Sequence, residues 1–537
     1  MSQRPYTIIT FSPVQGFIEK SRKLRDLYGS SYLLSFLSWV ICDAAKQAGC
    51  EVISPALPNI TQGMPNQIII EGDFPEKKAE SVFKEAWECI TESCREWIEE
   101  NIQGEFEYKS WKRVWGLWSK YTWEFFWVQG EIGESIVDVR QKMNEKKRWR
   151  DWTGINWQGE SSTLSGTDAI AYPRLGQISD PRQYDYQKEK AEVQQFYKAL
   201  SDKLGESLID PDEELSVPEL IKRIITYKSV SHKFIERFKK LDFSKDTEQI
   251  SEDLRPVSFK DLNRYKEGFQ GWFQGDGDKA GDYLKKFPEK THEFSKKMRN
   301  WGKSFQKRPF EFGRVIYAGG DDFLGAFYDE EGKSEKLEPK YCVDWFSKFN
   351  KEIWHENKVN QKPITVSVGF VWAFPGIPQR DVLQHCREAE KSAKNHGRDR
   401  IAFRILFNNG NHLEWVCPWW LLESGLLANY RDREKNENKA KQNWTHIYND
   451  VAVLESRHAF DEDGLDIALA LLEIYFPHHV DVIEDTGNWW HDSEVDLTVH
   501  QSGILGDSEN HTKCDDKKAL TDWIINLAKV GFHLCQQ

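Results

Sequence analysis

No two of the nine cysteines in this 537-residue chain form a CxxC pair; they stand at Cys42, Cys50, Cys89, Cys94, Cys342, Cys386, Cys417, Cys514 and Cys535. That spacing excludes the usual paired-thiolate zinc site, so no structural zinc is expected. Scattered among apolar or helical neighbours, with no signal peptide ahead of them, they read as reduced thiols of a cytoplasmic protein. No apolar run approaches the roughly 20 residues needed to cross a bilayer, so no membrane association is expected. An excess of cations is missing too. The net charge is −13, which argues against a chain that wraps nucleic acid unaided, because phosphate neutralisation needs clustered Lys and Arg. Two local runs are basic, Lys20-Ser21-Arg22-Lys23-Leu24-Arg25 and Lys146-Lys147-Arg148-Trp149-Arg150. The second carries an aromatic able to stack a base, although solvated helix faces have the same composition.

What is present is a chain large enough for several domains, 39% hydrophobic and carrying 23 tryptophans, most of which are expected in cores. Its most informative segment is Tyr317-Ala318-Gly319-Gly320-Asp321-Asp322-Phe323-Leu324. Arg314-Val315-Ile316-Tyr317 before it and Phe323 to Phe327 after it read as two strands of a hairpin whose tip carries acids. Glycines there let the backbone turn and a phosphate approach, and paired carboxylates supply the hard oxygen ligands magnesium prefers. Gly and Asp are also ordinary turn residues. A second segment makes the chemical reading stronger: the aromatic run Phe269 to Gln274 ends in Gly275-Asp276-Gly277-Asp278-Lys279-Ala280-Gly281. Two acid-tipped strands can make one site for metal ions that bridge a nucleoside triphosphate and activate a hydroxyl. Downstream, Pro363 to Val371 alternates like a strand, and a helix from Asp381 places Val382, Cys386, Ala389 and Ala393 on one face. It ends at Lys394-Asn395-His396-Gly397-Arg398, a lysine and an arginine four apart, suited either to a triphosphate tail or to the helix dipole.

Together these stretches resemble the palm of GGDEF-type nucleotide cyclases. More closely, they resemble the polymerase-like large subunits of type III CRISPR effector complexes, the Cas ten family in its Cmr form. Asp276-Gly277-Asp278-Lys279-Ala280-Gly281 is similar to that family's first metal motif, Gly319-Gly320-Asp321-Asp322 to its GGDD signature, and Ser367-Val368-Gly369 with Ala393-Lys394 and Gly397-Arg398 to the palm's last strand and helix. Ile9 to Ile18 and Ser21 to Ser35 resemble the opening of the family's first palm-like domain. The set is ordered over roughly the first three quarters of the chain, which makes it specific.

The resemblance implies an α/β chain of two ferredoxin-like, GGDEF-like palms. The expected domains are a first palm over 1–155, a connecting mostly helical domain over 156–255, a second palm over 256–410 and a C-terminal helical domain over 411–537. Ser12-Pro13-Val14 stands where the second palm has Asp276-Gly277-Asp278, so the first palm is expected to be silent, with Ser31 near a nucleotide. Palm-like sequence begins within ten residues of Met1, so an HD nuclease domain is not expected. His491-Asp492, with His478 and His479, is read as a surface loop rather than a metal phosphohydrolase. Ser162 and Ser165 replace the cysteines of a family zinc knuckle, and hydroxyls do not substitute for thiolates.

By the same resemblance, the implied activity is target-RNA-dependent polymerisation of ATP into cyclic oligoadenylate in a type III-B complex, with Mg2+ or Mn2+ at a two-metal site. Asp276, Asp321 and Asp322 would be catalytic, Asp276, Gly277 and Asp321 would hold metal, and Gly319, Gly320, Lys394, Arg398 and Ser31 would bind nucleotide. Implied partners are the other Cmr-type subunits, including the small helical and guide-end-binding ones, and the guide and target RNAs. Two alternatives stay open, transfer of AMP to an acceptor such as S-adenosylmethionine and a non-catalytic scaffold.

Overall fold

The computed structural model describes residues 4–21, 23–102, 106–150, 154–157, 159–178, 180–241, 250, 268–329, 335–355, 364–433, 443–461, 464–487, 503–506 and 513–536. Two compact units divide the chain, one of residues 1–259 and 287–299, the other of 260–286 and 300–537.

The first unit is built on an antiparallel sheet ordered β2-β3-β1-β4, from β1 (Tyr6–Ser12), β2 (Glu51–Ser54), β3 (Gln67–Glu71) and β4 (Glu124–Gln129). Side chains alternate across it. Ile9 and Phe11 face the main core with the helices Leu24–Gln47 and Glu76–Asn101, while Ile8, Ile69 and Phe126 face Ile136, Val139 and Met143 of the helix Ile136–Lys146. The helices Tyr186–Leu204, Val217–Ile224 and Lys228–Phe238 share that main core through Phe196, Leu220 and Phe234.

A buried ion triad ties the start of the helix Leu24–Gln47 to Val217–Ile224. Arg223 is fully buried, donates to both Asp26 oxygens at 2.7 and 2.6 Å, and also pairs with Glu213. Burial opposes the Asp26 charge, but Arg223 outweighs it and brings the carboxyl down to about 2. Gly29 is small because a Cβ there would lie 2.2 Å from the Lys222 carbonyl oxygen, and Ser30 is buried with its hydroxyl donated to Asp26 O. Within the Gly29-Ser30-Ser31 segment, packing therefore accounts for the first two residues, and Ser31 is half-buried on the same helix.

The second unit holds a six-stranded sheet ordered β10-β9-β8-β5-β7-β6. Its strands are β5 (Gln270–Gly277), β6 (Arg314–Ala318), β7 (Asp322–Phe327), β8 (Val366–Ala373), β9 (Arg400–Leu406) and β10 (His412–Pro418). All neighbours are antiparallel except β8 and β9, which are joined through the helix Gln379–Asn395. Aromatics fill the other side, where Phe273, Phe323 and Phe327 meet Trp301, Phe305, Trp345 and Phe349. The sheet extends past residue 410: β10 adds a sixth strand, and Trp523 of the helix Lys513–Cys535 donates to Val416 O at 2.6 Å. Among the described residues no helix is long and apolar enough to cross a membrane.

Candidate active site

The site is assembled by strand register. Strand β5 runs through Asp276 and ends at Gly277, so Asp276 lies opposite Asp322 of β7 on one side and Ser367 of β8 on the other. Asp321 is held at the β6–β7 turn by the Gly277 N–H, which donates to its carbonyl at 2.9 Å, and the turn is closed by Gly319 N–H to Asp322 O at 2.9 Å. Gly277 permits this approach: a Cβ would lie 2.6 Å from Ile364 and 2.9 Å from the Asp321 Cβ. Gly320 differs, because a Cβ there would meet nothing within 4 Å, which leaves open space over the turn.

Three carboxylates so placed repel one another. Burial, then Asp276 and Asp322, push the Asp321 carboxyl up to about 7. Lys394, at the end of the helix Gln379–Asn395, sits 2.5 Å from Asp276 Oδ2 and 2.5 Å from Glu390 Oε1. Burial opposes its charge, yet Asp276 and Glu390 prevail and hold the ammonium above its ordinary value. Among the described residues no group of three or more His, Cys, Asp or Glu side chains forms a ready metal cage; Asp276 is turned toward Lys394 instead. The donor set nevertheless fits a divalent cation, since hard carboxylate oxygens with uncompensated repulsion are what such an ion neutralises.

Asp278, the second acid of the β5 motif, has a different part. It is 4% exposed and accepts from Ser367 Oγ at 2.7 Å, Thr365 Oγ1 at 2.9 Å and the Asp399 N–H at 3.1 Å. Burial raises its pKa and these donors hold it back. It anchors the turn after the helix, where Arg398 and Asp399 both take the left-handed conformation at φ 64 and 52, a strained choice for residues with a Cβ. Burial and Asp278 push the Asp399 carboxyl up to about 8. The Arg398 carbonyl accepts from Arg400 Nε at 2.9 Å, and Arg400 is fully buried with its guanidinium on the carbonyls of Gly503 and Ile504.

The structure thus brings together Asp276, Gly277, Gly319, Gly320, Asp321, Asp322 and Lys394, and sets Arg398 beside the anchored turn. Ser31 belongs to the first unit. Glu390 and the Asp278 anchor were missed from sequence; Glu390, one helical turn before Lys394, was readable from i,i+4 spacing. Lys20 and Lys23 are ion-paired with Asp168 and Glu213, and Arg25 donates to Thr226, so this basic run serves internal contacts; Arg22 lies outside the described residues. Trp149 of the second run is 85% exposed. Ser162 and Ser165 face each other with hydroxyl oxygens 3.1 Å apart. His479 is buried against Ser424 Oγ, and His491 and Asp492 lie outside the described residues.

Residues 269–402 match the family "Cas10/Cmr2, second palm domain", and residues 6–104 match "CRISPR-associated protein Cmr2, N-terminal". The chain thus carries two domains of the Cas10/Cmr2 family. Its second palm is the domain that carries Asp276, Asp321 and Asp322. In fold, the chain is similar to one in the type III-B Cmr-beta complex in its apo state, with 11% identity and a TM-score of 0.56 over 98% of this chain and 82% of that one. Looser likenesses are to a chain of Cmr-beta bound to cognate target RNA (12% identity, TM-score 0.47, 98% and 83% covered) and to one in the Csm1–Csm4 cassette in complex with pppApApA (14%, 0.48, 100% and 70%). No curated protein matches the sequence at a significant level.

Proposed function

We propose that this Cas10/Cmr2 chain is the large subunit of a type III-B RNA-guided complex and that its second palm joins ATP molecules into cyclic oligoadenylate when target RNA binds. The observation that supports this most is the register placing Asp276 opposite Asp322, with Asp321 beside both at an open glycine turn. Asp276, Asp321 and the Gly277 carbonyl would hold Mg2+ or Mn2+, with Asp322 as a further acid. Such ions, when bound, neutralise triphosphate charge and lower the pKa of an attacking hydroxyl. Lys394 and Arg398 supply the cationic side for the phosphates, and Gly319 and Gly320 leave room for them. Ser31 would meet the second nucleotide. Transfer of AMP to another acceptor would use the same acids and differ only in what the pocket beside them accepts.

Other Cmr-type subunits, guide RNA and target RNA are the proposed partners, in keeping with a chain whose net charge is −13 and whose first basic run is spent internally. The test is ATP turnover by the assembled complex carrying both Asp321→Ala and Asp322→Ala. Product should vanish while assembly persists, because a hairpin tip contributes little to the core. A normal rate in that variant refutes the site.

A further inference from the structure

The Lys394 ammonium touches two acids of different standing. Asp276 projects from β5 into the open side of the site, its side chain 34% exposed, whereas Glu390 lies one helical turn before Lys394 with its side chain 11% exposed. Both contacts are 2.5 Å, so one cation pairs with a proposed metal ligand and with a largely buried carboxylate of its own helix. Lys394 also lowers the Asp321 carboxyl through space, by less than burial, Asp276 and Asp322 raise it, and among the described residues the three acids do not converge into a cage as they stand.

We propose that Lys394 is a tethered cation that occupies Asp276 in the metal-free state, so that divalent-ion binding is an exchange in which the ammonium leaves Asp276 and stays on Glu390. This inference rests on the proposed metal site. Glu390 is the positioning residue of the exchange: it keeps the lysine from losing its last partner in a half-buried place, and from the Glu390 side the freed Nζ can turn to a triphosphate oxygen. The exchange ties ion entry to lysine release. A site without its ion thereby keeps Asp276 paired while the repulsion on Asp321 persists, and an ion arriving with its nucleotide is favoured over an ion alone, because the nucleotide gives the displaced ammonium a second anion.

Mn2+ binding to the full chain, followed by electron paramagnetic resonance without nucleotide, tests this. Lys394→Met removes the competitor, and Mn2+ should bind about tenfold more tightly, the scale of one charge-assisted contact. Lys394→Gln, which keeps a polar side chain at the helix end, should also tighten it and guards against a folding artefact in the first variant. Glu390→Gln should weaken Mn2+ binding in the wild-type background, where the ammonium then fastens on Asp276 alone, and should do little in the Lys394→Met background. An equal Glu390→Gln effect in both backgrounds would mean simple remote charge and would overturn the exchange, as would unchanged or weaker binding in both Lys394 variants. Asp276→Asn separates the two levels. If wild type shows no Mn2+ binding that Asp276→Asn removes, the metal-site reading falls and this inference with it; if that binding exists but Lys394 does not oppose it, only the exchange falls.

Discussion

Replacing Asp278 with alanine removes the acceptor of three bonds, from Ser367 Oγ, Thr365 Oγ1 and the Asp399 N–H. Each bond to a carboxylate contributes about 1.5 kcal/mol net, and part of that total is offset because a buried charge disappears with it, leaving a loss of about 3 kcal/mol. For a unit of this size the melting temperature should fall by about 6–12 °C. Ser367→Ala, which removes one of the three donors, should cost about 1 kcal/mol. Thermal unfolding followed by near-UV circular dichroism reads both, since the packed tryptophans of the second unit report its tertiary structure. The functional effect should appear in KM for ATP more than in kcat, because the turn carrying Arg398 is released while Asp276, Asp321 and Asp322 keep their strand positions. An Asp278→Ala protein that melts with the wild type would refute the anchoring role; equal loss in kcat with unchanged KM would refute its link to the Arg398 turn.

Asp321 holds its proton up to about 7 in the folded, metal-free chain, whereas an unfolded carboxyl releases it near 4; this group's contribution to stability therefore falls as pH rises between those values. Asp321→Asn should raise the melting temperature in chelator by an amount that grows from pH 5 to pH 8, and a pH-independent difference would contradict the repulsion. Divalent ions compete with that same proton, so their binding should strengthen over the same range. Elemental analysis should find no stoichiometric zinc, with Ser162 and Ser165 bonded to each other; one zinc per chain would overturn the knuckle reading. The isolated subunit should turn over ATP at a near-zero rate and the assembled complex much faster with complementary RNA, because target binding can act only by favouring one of two palm geometries; equal rates would indicate a free-standing enzyme.

The acids at the strand ends could be read from sequence because Gly-Gly-Asp-Asp and Gly-Asp-Gly-Asp interrupt aromatic runs that have no other reason to stop. The pairing of Asp276 with Asp322 could not, since register depends on the β5 and β7 partners 46 residues apart in number, Asp276 and Asp322 themselves. Asp278 stands in the same motif as Asp276, but its carboxylate is consumed by Thr365, Ser367 and Asp399, which lie 87 to 121 residues away. The left-handed pair Arg398-Asp399 gives no local signal, because tertiary hydrogen bonds impose a conformation that neither residue prefers. The glycine two residues before Ser31 likewise gives no local signal of its reason, which is the close approach of the Lys222 carbonyl. The strand after residue 410 was hidden among tryptophans that suit a helix or a sheet equally well.

The central claim is the product itself. Mass spectrometry of ATP incubated with the purified complex and complementary target RNA, with and without S-adenosylmethionine, tests it most directly. Cyclic oligoadenylate, formed in both mixtures and absent from the Asp321→Ala, Asp322→Ala variant, is the result predicted; an AMP conjugate that appears only with S-adenosylmethionine, or no nucleotide product at all, would contradict it.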